Sequence, residues 1–452
     1  MRDSHLTHWF RNSVILGCCF SLISISVVQA EEIENKAATP KPKQVQIQIQ
    51  VKDGKVVPLI TNGATQKKPE PVKVPEGTHQ QIAVIEVGSK LYPGMRIKTF
   101  CLDQSGNLLA AYGTGAGEIR VFNPDGKLLE TWKVPIAPDA INVDQDGTIY
   151  VAGSGKILKL DNKGSILSTN DAPHAKAIMD NNAKLREQVV QQNKARNSSV
   201  VSMVPRLEKM IQQLKDQSKG KAMSAQDKKR LLSYERILEQ YQKRELTAKK
   251  SKEPTEQEIN AQVEAMSKLK MRVSSISMNE KEIFLACSAI EGYGYEVWRT
   301  DKNFENGAIV VKGLRGCCGQ MDVQCNKDGI FVAENSRHRV SHYDRNGKEM
   351  NHWGSRDRNG VEGFGSCCNP MNVAVGKAGE VYTAESNLGY IKRYSADGKY
   401  LDFVGKVDLV PGCKNVSIMV TPDGDRVYMM DLTRNHIIVM ARKPTATAST
   451  AK

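Results

Sequence analysis

The stretch that decides the fold is "VQCNKDGIFVAENSRHRVSHYDRNGKEMNHW", residues 323–353. A short apolar run meets Asn-Lys-Asp-Gly, a second run meets a polar turn, and a third run meets Asp-Arg-Asn-Gly before a fourth. Tight turns between short strands of this kind make one small antiparallel sheet. The pattern recurs outward in both directions. "FCLDQSGNLLAAYG", "INVDQDGTIYVAGS", "ISMNEKEIFLACSA", "VAVGKAGEVYTAES" and "IMVTPDGDRVYMMD" repeat its first half, while "IRVFNPDGKLLETW", "ILKLDNKGSIL" and "IKRYSADGKYLDFV" repeat its second. Six such units of about 35 to 50 residues predict an all-β chain folded as a six-bladed β-propeller. The sixth unit ends on its third strand, so "QIAVIEV" at residues 81–87 is expected to supply the fourth and close the ring, removing an open sheet edge.

"VAENSRHRVSHYDRNGK" (332–348) and "MDLTRNHIIVM" (430–440) resemble NHL repeats, in which an acidic residue follows an apolar strand and precedes an Arg-His or Asn-His turn. The resemblance spans residues 80–443 apart from one insertion, and implies an NHL/TolB-like propeller. The doubled-cysteine loops look like those of uncharacterised exported planctomycete-type NHL proteins, a group that brings no activity with it. The chain departs from the usual repeat at Glu334 and Glu385, where Asp is commoner, and at Cys287, which takes that place in the third unit.

The remaining segments differ in character. Residues 1–30 carry Arg2 and Arg11, a short apolar run and Val28-Gln29-Ala30, the form of a cleaved signal peptide, so the mature protein is expected to be exported, periplasmic or secreted, and soluble. Residues 31–79 read as a Lys- and Pro-rich linker with a short hairpin at residues 45–60, and 444–452 as a disordered tail. Propeller text fills 80–170 and 271–443. Between them, 171–270 has helical periodicity: Val204, Leu207, Ile211 and Leu214 share one face, as do Leu231, Tyr234, Leu238 and Tyr241. Ser224 with Asp227, and Thr255 with Glu258, have capping-box spacing. An α-helical, coiled-coil-like insertion between blades 2 and 3 is therefore expected. It holds 21 Lys and Arg against 13 Asp and Glu, so +8 of the chain's net +14 sits there. A solvated helix surface explains that charge; a handle for an acidic polymer or membrane surface is the sharper reading. Nucleic acid is excluded for an exported chain.

Two loops, "RGCCGQMDVQ" (315–324) and "GSCCNPMNVA" (365–374), repeat Cys-Cys-x-x-Met followed by Asp or Asn. Aligning the units on their first turn puts Cys318, Cys368 and Cys413 at one position in three consecutive units, just before the innermost strand. Such loops all emerge at one face of a propeller, around the mouth of its central channel. Export leaves eight cysteines, Cys101, Cys287, Cys317, Cys318, Cys325, Cys367, Cys368 and Cys413, an even set that favours disulfides between neighbouring loops. Cys318, Cys368 and Cys413 could link directly only if the loops lean close to the axis; otherwise Cys317 or Cys367 could make the sideways reach. A bond inside a Cys-Cys pair would be strained, because a trans peptide holds its two Cα atoms about 3.8 Å apart.

Function is less legible. The expected role is noncatalytic binding of a protein or cell-envelope ligand at this face, by Arg315, Cys317, Cys318, Asp322, Cys367, Cys368, Asn372 and Cys413. The alternative is a copper-binding or redox protein using Cys317, Cys318, Met321, Cys367, Cys368, Met371 and Cys413, since thiolate with thioether suits Cu(I). A second alternative is a calcium- or zinc-dependent hydrolase or lyase at Asp322 and Asn372. Zinc-type CxxC pairs, a nucleophile elbow, HExxH and a P-loop are all absent, so the sequence does not support enzyme status. Glu334, Glu385 and Asp431 recur at one place, where a carboxylate capping a turn is expected. Tyr293, Tyr295 and Trp298 read as one packing row or a ligand shelf.

Overall fold

At the turns, short polar side chains fold back on the backbone. Asp344 Oδ1 accepts the N–H groups of Asn346 and Lys348 at 2.8 and 2.9 Å, and Gly347 takes φ +86°. Asp161 with Gly164, and Asn123 with Gly126, repeat the device. A carboxylate or amide that satisfies two turn donors, followed by a residue free to adopt positive φ, reverses a strand at little cost.

The protein, as a computed structural model, is described over residues 48–52, 55–59, 74–88, 95–218, 222–250, 253–357, 361–365 and 368–444. The signal segment, most of the linker, Cys367 and the tail beyond residue 444 lie outside these residues. The chain forms six four-stranded antiparallel sheets, five of them built in sequence order from the innermost strand outward, and one hairpin pairing Gln48–Lys52 with Lys55–Leu59. The innermost strands of sheets 1 to 6 are Ile97–Leu102, Ala140–Val143, Val273–Met278, Asp322–Cys325, Asn372–Val375 and Ile418–Val420. The outermost strand of sheet 6 is His79–Glu86, which pairs with His436–Arg442 and so ties the two ends of the ring together.

Packing shows how the sheets are arranged. Second strands such as Ile330–Glu334 are buried at every residue, so each sheet must be covered on both faces. Phe331, Val340 and Trp353 of sheet 4 meet Val373, Val381 and Tyr394 of sheet 5. Equivalent apolar clusters fill the spaces between sheets 1 and 2, 2 and 3, 3 and 4, and 5 and 6. Phe100 and Tyr112 of sheet 1 then pack on Tyr428, Met430 and Ile437 of sheet 6. Every sheet thus uses both faces on its neighbours in a closed round, which is the architecture of a β-propeller.

Helices lie between the outermost strand of sheet 2, Ile166–Asp171, and the innermost strand of sheet 3: α1 (Pro173–Asp180), α2 (Asn182–Gln217), α3 (Ala225–Lys250) and α4 (Glu256–Lys270). Val204, Leu207 and Ile211 are buried along α2. Thr255 and Glu258 cap α4 reciprocally, and Ser224 Oγ accepts the Asp227 N–H at 3.1 Å ahead of α3. Ile178, Leu185, Val189 and Val263 join α1, α2 and α4 in one apolar cluster. Among the described residues no helix is long and apolar enough to cross a membrane.

Tyr293, Tyr295 and Trp298 form no common row: Tyr293 is 71% exposed, Tyr295 packs between sheets 3 and 4, and Trp298 packs between sheets 2 and 3. The step from 295 to 298 is odd, and successive strand residues point to opposite faces.

Candidate functional site: a cysteine-bearing rim

Each cysteine loop enters an innermost strand and is held by a buried side chain at the end of the second strand of the same sheet. Glu334, fully buried, accepts the Arg315 backbone N–H at 3.1 Å, and its two oxygens pair with Arg337 and Arg339 at 2.5 and 2.6 Å. Glu385 accepts the Gly365 N–H at 3.2 Å and pairs with buried Lys392 at 2.5 Å. Burial pushes the Glu385 carboxyl up while Lys392 holds it down. Asp431 accepts the Val410 N–H at 2.9 Å and pairs with Lys414 at 3.3 Å. The strand registers place Tyr112, Gly153 and Cys287 at the same position in sheets 1, 2 and 3. At this position a buried carboxylate therefore stands in the three sheets whose entry loops carry cysteine, and the other three sheets have none there.

Further contacts fix the loops against one another. The Cys317 N–H donates to Asn335 Oδ1 at 2.7 Å, and Asn335 Nδ2 donates to the Gln320 carbonyl and to Met371 Sδ, each at 3.2 Å. Gln320 Nε2 donates to the Val416 carbonyl at 2.9 Å, and the Val416 N–H donates to Gln320 Oε1 at 3.3 Å. That pair joins the entry loops of sheets 4 and 6 across sheet 5, so the loops lean toward the axis.

The sulfurs gather as a result. Cys317 and Cys318 Sγ lie 3.5 Å apart, Cys318 and Cys368 Sγ 3.7 Å, and Cys368 and Cys413 Sγ 3.5 Å. Cys317, Cys318 and Cys368 all have Sγ within 4.8 Å of one another. The equivalent residues Cys318, Cys368 and Cys413 approach one another directly, the arrangement expected if the loops lean close to the axis. In a six-membered ring, equivalent atoms of neighbours are as far from each other as from the axis, so close contact of equivalents sets the sulfurs over the channel mouth. The Cys317–Cys318 separation is a non-bonded one, and no strained vicinal bond joins that pair. Cys101, Cys287 and Cys325 are free thiols inside sheets 1, 3 and 4. Burial raises all three thiols, with Cys325 pushed up to about 12.

Met321 and Met371 are fully buried in the packing between sheets. Met371 sulfur is additionally met by Asn335. Their equal spacing after the doubled cysteines reflects a repeated core position. Arg315 presents an exposed side chain beside the rim.

Asp322 and Asn372 belong to a second ring, one layer below. Asp322 Oδ1 accepts from Ser275 Oγ at 2.6 Å and Oδ2 from the Val373 N–H at 2.8 Å; Asn372 Oδ1 accepts from the Ile418 N–H at 2.9 Å. Thr99 and Ser417 hydroxyls meet at 3.0 Å, and Asn142 Nδ2 donates to the Ile276 carbonyl at 3.0 Å. These bonds staple successive innermost strands. They line a central cavity of about 30 Å³ together with Lys98, Asp139 and Arg272, room for one or two waters. Burial raises Asp322 to about 6 against the pull of Ser275 and Val373, and raises Asp139 against Arg272.

The anchoring roles of Gln320 and Asn335 were not legible as residue types, but Glu334, Glu385 and Asp431 did leave a signal: they occur in the cysteine-bearing units alone.

No protein-family model and no curated protein matches the chain. Solved structures of similar course include a protein of unknown function from Bacteroides caccae, at 12% identity over 69% of this chain and 82% of that one with TM-score 0.37. The Pan2 WD40 domain of Neurospora crassa is similar at 9% identity, over 83% and 98%, with TM-score 0.41. Virginiamycin B lyase from Staphylococcus aureus is similar at 10% identity, over 79% and 98%, with TM-score 0.40.

Proposed function

We propose that the chain is an exported, six-bladed NHL-type propeller acting as a noncatalytic binding or scaffold protein, its ligand engaged at the cysteine-bearing rim. The observation that carries this is the construction of the rim: three consecutive entry loops are pinned by buried carboxylates and cross-linked through Gln320 and Asn335, leaving Arg315, Cys318 and Cys413 exposed. A surface held this firmly loses little conformational entropy on binding. The cavity beneath it holds about 30 Å³, far below the roughly 300 Å³ of a small-molecule pocket, which favours recognition at the surface. The helices occupy the equivalent connection between sheets 2 and 3, and Lys270 of α4 donates to the Gly292 carbonyl at 3.1 Å beside this rim, so they border the same face. A protein or cell-envelope ligand is the partner class this supports, with an acidic polymer or membrane surface met by the basic helices.

Retention of cell-envelope material by the immobilised full chain tests the reading. Arg315→Glu at the rim should reduce retention at least several-fold, while Lys163→Glu, on a turn at the opposite end, should leave it unchanged. Equal retention by both variants would remove the rim from the function.

A further inference from the structure

We infer that the rim sulfurs form a binding site for a thiophilic d10 cation, Cu(I), with Cys317, Cys318 and Cys368 as its ligands and Cys413 flanking them. This deepens the reading of the rim as a binding face by naming one ligand of it.

Three observations carry the inference. The first is spacing. A tetrahedral metal with bonds of about 2.3 Å to sulfur requires its sulfurs roughly 3.8 Å apart, and a trigonal one about 4.0 Å. Two sides of the ligand triangle, Cys317–Cys318 at 3.5 Å and Cys318–Cys368 at 3.7 Å, need only a few tenths of an ångström of opening, and the third, Cys317–Cys368, lies within 4.8 Å. The second is local backbone. Cys318 holds φ +60°, a conformation in which glycine or asparagine is ordinary and a cysteine costs about 1 kcal/mol. Gly319 follows at φ +72°, so two successive left-handed residues turn the Cys318 side chain toward Cys368. A residue kept in a sparsely populated conformation points to a role for its side chain. The third is the supporting layer: Asn335, fully buried, receives the Cys317 N–H, and the carboxylates of Glu334 and Glu385 hold the two loops that carry the ligands. Such fixed second-layer contacts are what orient metal ligands.

Chemistry selects the ion. Among the described residues the cluster offers sulfur and neither imidazole nor carboxylate, a set that favours Cu(I) or Zn(II) over hard cations. Three mutually close sulfurs suit three-coordinate Cu(I), whereas structural zinc takes four ligands. Each thiol that becomes a thiolate on binding Cu(I) releases one proton. Cys318 is exposed, giving the ion a route in.

The test titrates the fully reduced, full-length chain anaerobically with Cu(I) buffered by a chromogenic chelator. One Cu(I) should bind, with copper-edge absorption showing sulfur neighbours only. Cys318→Ser, at an exposed position, should weaken binding by at least 100-fold, more than the roughly 10- to 100-fold of a lost supporting contact. Cys101→Ser, at a buried thiol outside the rim, should bind Cu(I) with unchanged affinity. Equal affinity in wild type and Cys318→Ser overturns the site, as does Zn(II) that Cu(I) fails to displace. Should Cys318→Ser lose its fold by circular dichroism, protection of Cys318 from alkylation by Cu(I) in the wild type decides the matter, and no protection overturns the site. Copper binding with Arg315-independent envelope retention would keep the metal site and remove the envelope partner; the reverse pair would remove the metal site alone.

Discussion

Glu334 lies 19 residues after Arg315 and accepts its backbone N–H at 3.1 Å, so one buried carboxylate fixes the loop that carries Cys317 and Cys318. The same oxygens neutralise Arg337 and Arg339. Glu334→Ala removes the acceptor and leaves the Arg315 N–H unpaired and the half-buried Arg339 with Glu349 alone at 3.7 Å, a change that costs about 1–3 kcal/mol. Glu334→Gln keeps one acceptor and should cost less. Urea denaturation of both variants measures the ranking, and alkylation of Cys318 should quicken in the same order. Unchanged alkylation would mean the carboxylate stabilises the sheet without positioning the loop.

Sheet 2 solves the same problem with no side chain. Gly153 stands where Glu334 does, and a Cβ there would sit 1.8 Å from the Ala137 carbonyl oxygen, in the loop entering that sheet. The obstacle is backbone and cannot swing aside. Gly153→Ala should therefore destabilise the protein by about 3 kcal/mol or more, at the upper end of overpacking effects. Gly292→Ala is the control for backbone freedom alone: its φ is +68° and nothing lies within 4 Å of the added atom, so it should cost about 1 kcal/mol. Thermal melting of the pair separates collision from conformation.

The fold was legible because turns and strands are local. Asp344 and Gly347 mark a reversal by their own chemistry, and the repeat multiplies that signal six times. Alignment on those turns also carried Cys318, Cys368 and Cys413 to one structural position. What no repeat encodes is the tilt of the loops. Gln320 reaches past sheet 5 to Val416, 96 residues on, and only that contact shows that equivalent sulfurs meet. The thioethers show the same limit: Met321 and Met371 share spacing because both fill a core position. Spacing along a strand reports a place in the sheet, and a ligand set needs the direction of each side chain too.

Ring closure makes a prediction about the start of the propeller. His79–Glu86 gives sheet 6 its fourth strand, with Ile85 buried and Ile82 and Val84 half exposed on the outer face. A chain beginning at residue 75 keeps this strand and should melt like the full protein. One beginning at residue 88 leaves His436–Arg442 as an unpaired edge and uncovers part of the cluster between sheets 1 and 6. It should lose cooperativity and associate through that edge. Light scattering and a denaturation curve distinguish the two, and a monomeric, cooperative short chain would show that closure needs only the packing of sheets 1 and 6.

Two buried groups give the stability a pH dependence of opposite sign. Burial at the foot of α1 holds the His174 imidazole down to about 4 from an ordinary value near 6.5, so the unfolded chain binds its proton first. Its contribution is full above pH 6.5 and is lost as pH falls toward 4. Asp322 is raised to about 6, so the folded chain binds its proton first; its contribution is full below the unfolded value near 3.9 and is lost as pH rises through 6. Each amounts to about 3 kcal/mol at most, because a tenfold change in proton affinity is worth about 1.36 kcal/mol, and the two largely cancel between pH 4 and 6. Substituting either group exposes the other. The stability difference between wild type and His174→Phe should move in favour of the variant as pH falls from 6.5 to 4. That between wild type and Asp322→Asn should move in favour of the variant as pH rises from 4 to 6, on top of a constant loss, because an amide supplies a single acceptor where Ser275 and Val373 need two. Parallel denaturation curves at each pH measure both differences, and a difference that stays flat would mean the group in question keeps its ordinary titration in the folded chain.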